Sequence, residues 1–154
     1  MKPRLNPYEA APDALKAMLA LEAYVQDCGL ERSLINLVKT RASQINGCAF
    51  CIAMHTGEAR SHGEIEQRLY LLDAWREAPL YTDRERAALA WTEALTLVAQ
   101  THAPDSDYEA LTPHFSEAEI VKLSLTIAAI NAWNRLAIGA RLVPKVHVTA
   151  DKAA

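Results

Sequence analysis

Helix breakers are scarce in this chain and stand where periodic segments end: there are 5 Gly and 7 Pro in 154 residues. Between them, apolar residues recur at spacings of three and four, and strand-like alternation is nearly absent. This pattern predicts an all-α bundle of about six to seven helices. A chain of 154 residues has the length of one domain with one core, so residues 1–154 are expected to form a single unit.

Helices are expected over 12–28, 31–44, 48–60, 64–77, 83–100, 106–112 and 117–139. Gly29 and the Asn46-Gly47 pair supply stop and turn signals, because glycine enters the left-handed region without a Cβ clash. Thr82 with Glu85, Ser106 with Glu109 and Ser116 with Glu119 match the S/T-x-x-E capping box that opens a helix. In the segment 64–77, Ile65, Leu69, Leu72 and Trp75 fall on one helical face. The last segment is apolar nearly all round, which suits the middle of a bundle or a subunit interface. Residues 145–149 alternate like a strand with no partner and are expected to form an extended tail.

Composition removes several function classes. A net charge of −3 with no basic run gives little to bind nucleic-acid phosphates. No apolar run approaches the ~18 residues of a membrane span, and the first residues lack the apolar stretch of a secretory signal. The expectation is a cytoplasmic protein without nucleic-acid or membrane partners. In that reducing compartment a close cysteine pair reads as catalytic or metal-binding before it reads as structural.

Such a pair is present. Residues 43–55, Ser-Gln-Ile-Asn-Gly-Cys-Ala-Phe-Cys-Ile-Ala-Met-His, contain C-x-x-C-x-x-x-H. On a helix, Cys48, Cys51 and His55 share one face. Cys48 follows a turn and is expected in the first helical turn, where unpaired N–H groups stabilise a thiolate. His55 is the group on that face able to move protons near neutral pH. Three uses remain open: simple burial of small apolar thiols, a metal site completed by His62 or His102, and a dithiol that cycles with a disulfide.

The stretch from Leu37 to His55, with Arg41-Ala42-Ser43-Gln44-Ile45-Asn46-Gly47-Cys48 and Cys51-Ile52-Ala53-Met54-His55, resembles the signature of the alkylhydroperoxidase D-like branch of the carboxymuconolactone decarboxylase superfamily. The resemblance implies a helical bundle that assembles into trimers or hexamers. It implies a peroxidase that reduces organic hydroperoxides or hydrogen peroxide through a dithiol/disulfide cycle, needs no cofactor and no metal, and is re-reduced by a lipoyl or thioredoxin-like dithiol donor. In the family the second motif cysteine, here Cys51, attacks the peroxide. The first, here Cys48, supplies a proton and then closes the disulfide, and the motif histidine, here His55, belongs to the proton relay. Turn geometry alone favours Cys48 as the more acidic thiol, so the two assignments conflict.

One departure stands out. The family's relay often includes a glutamate twelve residues before the first motif cysteine, where this chain has Asn36. An amide can hydrogen-bond but cannot take a proton. Glu93, between Trp91 and Leu95, could substitute, or it could belong to a polar stripe with Thr92, Thr96 and Gln100. Glu58, one turn past His55, could orient the imidazole or form a solvated ion pair.

The resemblance further implies that the superfamily's true decarboxylases lack the cysteine pair, so its presence argues against lactone decarboxylation. The alternatives are an enzyme acting on a small cyclic acid or lactone, for which a pocket lined by Arg41 or Arg135 would speak, and a non-catalytic, redox- or zinc-responsive oligomer. Cys28 and the three tryptophans read as packing residues. Asn131, Asn134 and Arg135 on an apolar helix need polar partners, most simply across a subunit interface, with a place near the active-site pocket as the alternative. His102, His114 and His147 are expected to be solvated.

Overall fold

A computed structural model describes residues 2–144. Among them are nine α-helices and no strand: α1 (Pro7–Ala10), α2 (Pro12–Asp27), α3 (Arg32–Asn46), α4 (Ala49–Ser61), α5 (Glu66–Tyr70), α6 (Asp83–Thr96), α7 (Val98–Thr101), α8 (Asp105–Glu109) and α9 (Glu117–Ala140). A 3₁₀ turn, Leu72–Ala74, follows α5. The all-α expectation holds, with more and shorter helices than periodicity predicted. The expected extended tail at 145–149, with His147, lies outside the described residues. Among the described residues no helix is long and apolar enough to cross a membrane.

Local signals set most helix ends. The α2 helix starts on Pro12 and stops at Cys28, where Gly29 takes φ +93°. The α3 helix stops at Gly47 with φ +68°. Thr82–Glu85 and Ser116–Glu119 both form the reciprocal capping box. The third expected box does not form, because α8 starts one residue earlier, capped by extended Pro104, and leaves Ser106 inside a five-residue helix. The helix expected over 83–100 is interrupted at Leu97 and continues as α7.

The largest difference is at 64–77, where one helix was expected. The chain leaves helical geometry at Leu71 (φ −93°, ψ 4°), yet Leu69, Leu72 and Trp75 are still buried. Side chains replace the missing ladder. Tyr81 donates to the Arg68 carbonyl and Arg68 to that of Leu80, while Arg86 donates to the carbonyls of Arg76, Ala78 and Tyr81. Burying apolar groups while satisfying backbone acceptors by long-range donors outweighs the local helix preference.

The α3 helix is the centre of the packing, lying against α4, α6 and α9. It buries Leu34, Ile35, Leu37, Val38 and Ala42, and also the polar Asn36, Lys39, Thr40 and Ser43. The α9 helix buries Ile120, Leu123, Ile127 and Ile130, yet leaves Val121, Leu136 and Ile138 exposed. The lower half of α3, α4 and the C-terminal half of α9 enclose a small cluster containing Ala42, Cys48, Cys51, Ile130 and Ala137.

Candidate active site

The cysteine pair stands at the junction of α3 and α4. At the end of α3, Gly47 N–H bonds the Gln44 carbonyl (3.1 Å) and Cys48 N–H bonds that of Ser43 (2.9 Å). Cys48 then becomes the N-cap of α4 (φ −85°, ψ 90°), and its Sγ accepts the Cys51 backbone N–H at 3.4 Å. This corrects the expected placement of Cys48 inside the first turn. Its sulfur occupies the position usually taken by a capping oxygen, where it meets the free N–H groups and the positive end of the helix.

Both sulfurs and the imidazole are buried, with Cys48, Cys51 and His55 at 1%, 2% and 3% exposure. The thiols are not joined by a disulfide. A hydrogen bond from the Cys51 thiol, reinforced by the N–H groups of Cys51 and Phe50 and by the Asn134 amide, holds Cys48 down to about 7 against the opposing effect of burial. Cys51 is pushed strongly up: its thiol donates a hydrogen bond to Cys48, it is buried, and it faces the charge on Cys48. The two thiols therefore behave as one unit that loses a first proton near neutrality and keeps the second.

Asn134, fully buried on α9, ties this unit to the rest of the fold. Its amide oxygen accepts from Asn46 (2.8 Å) and its nitrogen donates to Ser43 Oγ (3.0 Å), so it grips both sides of the turn that presents Cys48. Asn131 accepts a second bond from Asn46 (2.9 Å) and donates to Thr96. These asparagines, expected to bond across a subunit interface, are used within the chain. Asn134→Ala is expected to move the pH midpoint of Cys48 alkylation upward. It is also expected to cost about 1–3 kcal/mol in urea unfolding, because Asn46 and Ser43 lose partners. An unmoved midpoint would show that Cys51 and the helix cap set the thiol without Asn134.

His55, one turn beyond Cys51, holds Glu58 through Nδ1···Oε2 at 2.9 Å. That hydrogen bond keeps the Glu58 carboxyl below its usual range despite partial burial. A charged carboxylate at Nδ1 selects the Nδ1–H tautomer and leaves Nε2 as the acceptor. Of the roles open to Glu58, orientation of the imidazole is the one its position serves.

Cys51 and His55 lie on the wall of a cavity of about 210 Å³, together with Phe50, Met54, Trp133 and Leu136. Cys48 is absent from that lining. Glu22 of α2 reaches the same wall and pairs with the ammonium of Lys39, which is fully buried at 0% exposure. Gln26 also donates to Glu22, at 2.7 Å. Sequence reasoning missed Glu22 and Lys39. The available signal was a lysine on the apolar face of α3, between Val38 and the turn-proximal Ser43.

Two predicted residues do not join this group. Asn36 is buried on α3 and lines a separate polar cleft with Glu22, Glu58 and His62. Glu93 is engaged elsewhere: its carboxylate accepts from Arg41 (2.9 Å), Trp75 Nε1 (2.8 Å) and Arg76. It is not on the cavity wall, and Thr92 and Thr96 of the polar stripe beside it are buried. Arg41 is taken up by Glu93 and Asp73, and Arg135 by Asn131, so neither lines the cavity. Cys28 packs in the apolar core with Val25 and Leu34. His62 and His102 are exposed, His114 is half-buried, and no three His, Cys, Asp or Glu converge as metal ligands among the described residues.

Three comparisons bear on this arrangement. The model of the carboxymuconolactone decarboxylase family matches residues 12–94. An uncharacterized Bacillus subtilis protein, YdfG, is 44% identical over 138 residues, which is 90% of this chain and 94% of its own. A crystal structure of an Agrobacterium tumefaciens protein of unknown function, described as a candidate antioxidant defence protein AhpD, superposes with a TM-score of 0.93 at 52% identity, covering 95% of this chain and 100% of that one. An uncharacterized peroxidase-related protein from Ralstonia eutropha, described as an alkylhydroperoxidase AhpD core, superposes with a TM-score of 0.79 over 89% of this chain and 73% of its own. At 20% identity that last likeness concerns the fold alone.

Proposed function

The chain belongs to the carboxymuconolactone decarboxylase family, in its alkylhydroperoxidase D-like branch, and from that premise we propose that it is a thiol peroxidase. One observation carries the reading. Cys51 lies on the wall of an apolar cavity, one turn from His55, and its backbone N–H bonds the sulfur of Cys48, which caps the same helix.

The division of labour follows from that geometry. Cys48 holds the negative charge at rest but lies off the cavity. Cys51 faces the cavity but holds the proton. Transfer of that proton to Cys48 makes Cys51 the thiolate when a peroxide is present, which reconciles the acidity of the first cysteine with attack by the second. The Cys51 sulfur attacks the distal peroxide oxygen and the O–O bond breaks. Two sulfur electrons reduce the peroxide, and the alkoxide departs as alcohol with the proton held by Cys48. Cys48, again a thiolate, displaces hydroxide from the Cys51 sulfenic acid and the disulfide forms. His55, oriented by Glu58, takes the pair's first proton at Nε2 and returns it to that hydroxide as water. The sum is dithiol plus hydroperoxide giving disulfide, alcohol and water. A dithiol donor of lipoyl or thioredoxin type closes the cycle in a reducing cytoplasm. Exposed Leu19, Met54 and Leu136 on the cavity wall support assembly into a trimer or hexamer.

The test is one equivalent of cumene hydroperoxide added to the reduced protein, followed by peptide mapping. A Cys48–Cys51 disulfide is expected, and two thiols that remain alkylatable would sink the reading. The pH dependence has a definite sign. Cys48 is lowered to about 7, so the reactive monoanion is present above that pH and lost below it. The rate of disulfide formation is therefore expected to fall about tenfold per unit below pH 7 and to level off above it. A profile still rising steeply at pH 8–9 would mean an ordinary, unassisted thiol.

A further inference from the structure

We infer that the cavity beside Cys51 takes uncharged apolar hydroperoxides and turns away those that carry a carboxylate or phosphate. The inference deepens the peroxidase reading and rests on it for the reaction, but not for the ligand preference.

The wall is made by Phe50, Met54, Trp133 and Leu136, and exposed Tyr8 and Leu19 carry the apolar surface outward. Among the described residues five ionisable side chains reach it: Tyr8, Glu22, Cys51, His55 and Glu58. None is a lysine or arginine. The one ammonium behind the wall, Lys39, is fully buried and bonded to Glu22. The nearby guanidinium of Arg135 is bound to Asn131 and lines a different cleft, with Leu95 and Val98. Any positive charge arising on His55 already faces the Glu58 carboxylate.

Among the described residues no lysine or arginine lines this space, so an anion entering it sheds its water without gaining a cation from the wall. It also lies beside the Glu58 carboxylate and that of Glu22, the latter offset by Lys39. Burying an unpaired charge is among the most costly changes an apolar site can face, and like charges add to the cost. A neutral ring or alkyl chain meets no such penalty and gains contact with aromatic and aliphatic side chains. Both effects act in the same direction.

Three probes of one shape separate charge from fit: 4-isopropylbenzamide, methyl 4-isopropylbenzoate and 4-isopropylbenzoate. Binding to the reduced full-length protein at neutral pH is followed by tryptophan fluorescence, since Trp133 lines the cavity. The amide and the ester are expected to bind at least about tenfold more tightly than the carboxylate, a difference of about 1.4 kcal/mol. A carboxylate that binds within about threefold of the amide, or neutral probes that do not bind, would overturn the inference. A second arm compares oxidation of the dithiol by cumene hydroperoxide and by its 4-carboxy derivative. Equal rates overturn the inference and leave the peroxidase standing. Thiols that survive both peroxides while the binding order holds remove the peroxidase and leave the ligand preference in place.

Discussion

Cys51→Ser is expected to abolish peroxide consumption, with a loss of at least about a thousandfold in the single-turnover rate. The serine hydroxyl cannot become an anion at neutral pH, and it stands where Cys51 meets the cavity. Cys48→Ser should behave differently. Attack by Cys51 survives, slowed because the acceptor for its proton is gone, and the sulfenic acid has no thiol to close on. Dimedone is then expected to label Cys51 in the Cys48→Ser protein and neither residue in the Cys51→Ser protein. Labelling of Cys48 in the Cys51→Ser protein would reverse the two roles. Cys48 would then be both the acidic and the attacking thiol, as turn geometry by itself suggested.

Glu22→Ala is expected to destabilise the fold by about 3–5 kcal/mol, the range for stripping the partner from a buried charge. Lys39 has 0% exposure on the central helix, and the Glu22 carboxylate is its hydrogen-bond partner. With a urea slope of about 2 kcal/mol per molar, the unfolding midpoint falls by about 1.5–2.5 M. The double variant Lys39→Met, Glu22→Leu removes both charges and is expected to recover most of that loss. A single variant as stable as the parent would show that Glu58, which also feels the Lys39 charge, can take over as partner. The pair also keeps the wall of the cavity free of an uncompensated cation, so the stability of α3 and the electrostatics of the site share one cause.

Particular residues show how far the sequence was legible. The Thr82–Glu85 and Ser116–Glu119 boxes formed as read, because a capping box needs only residues three apart. The same pattern at Ser106 failed, since Pro104 offered an earlier start for a short helix. Trp75 was correctly placed on a buried face, but its helix was not there: Arg68 and Arg86, assigned no such task, supply donors to the carbonyls of the irregular segment. Glu93 looked like a substitute for the missing relay carboxylate because it sits among apolar neighbours in sequence. Its partners Arg41 and Trp75 come from other elements, and nothing in the local pattern announces them.

By itself the sequence determined the helical character, the two glycine stops and the placement of Cys51 and His55 one turn apart on a helix that begins at Cys48. Each of these rests on interactions between residues no more than about four apart, or on the conformational freedom of a single glycine. The tertiary structure alone decided which thiol meets the cavity and what surrounds the pair. Asn134 reaches Ser43 across 91 positions and Lys39 reaches Glu22 across 17. A buried polar group must find a partner wherever packing brings one, and packing answers to the whole core rather than to local spacing.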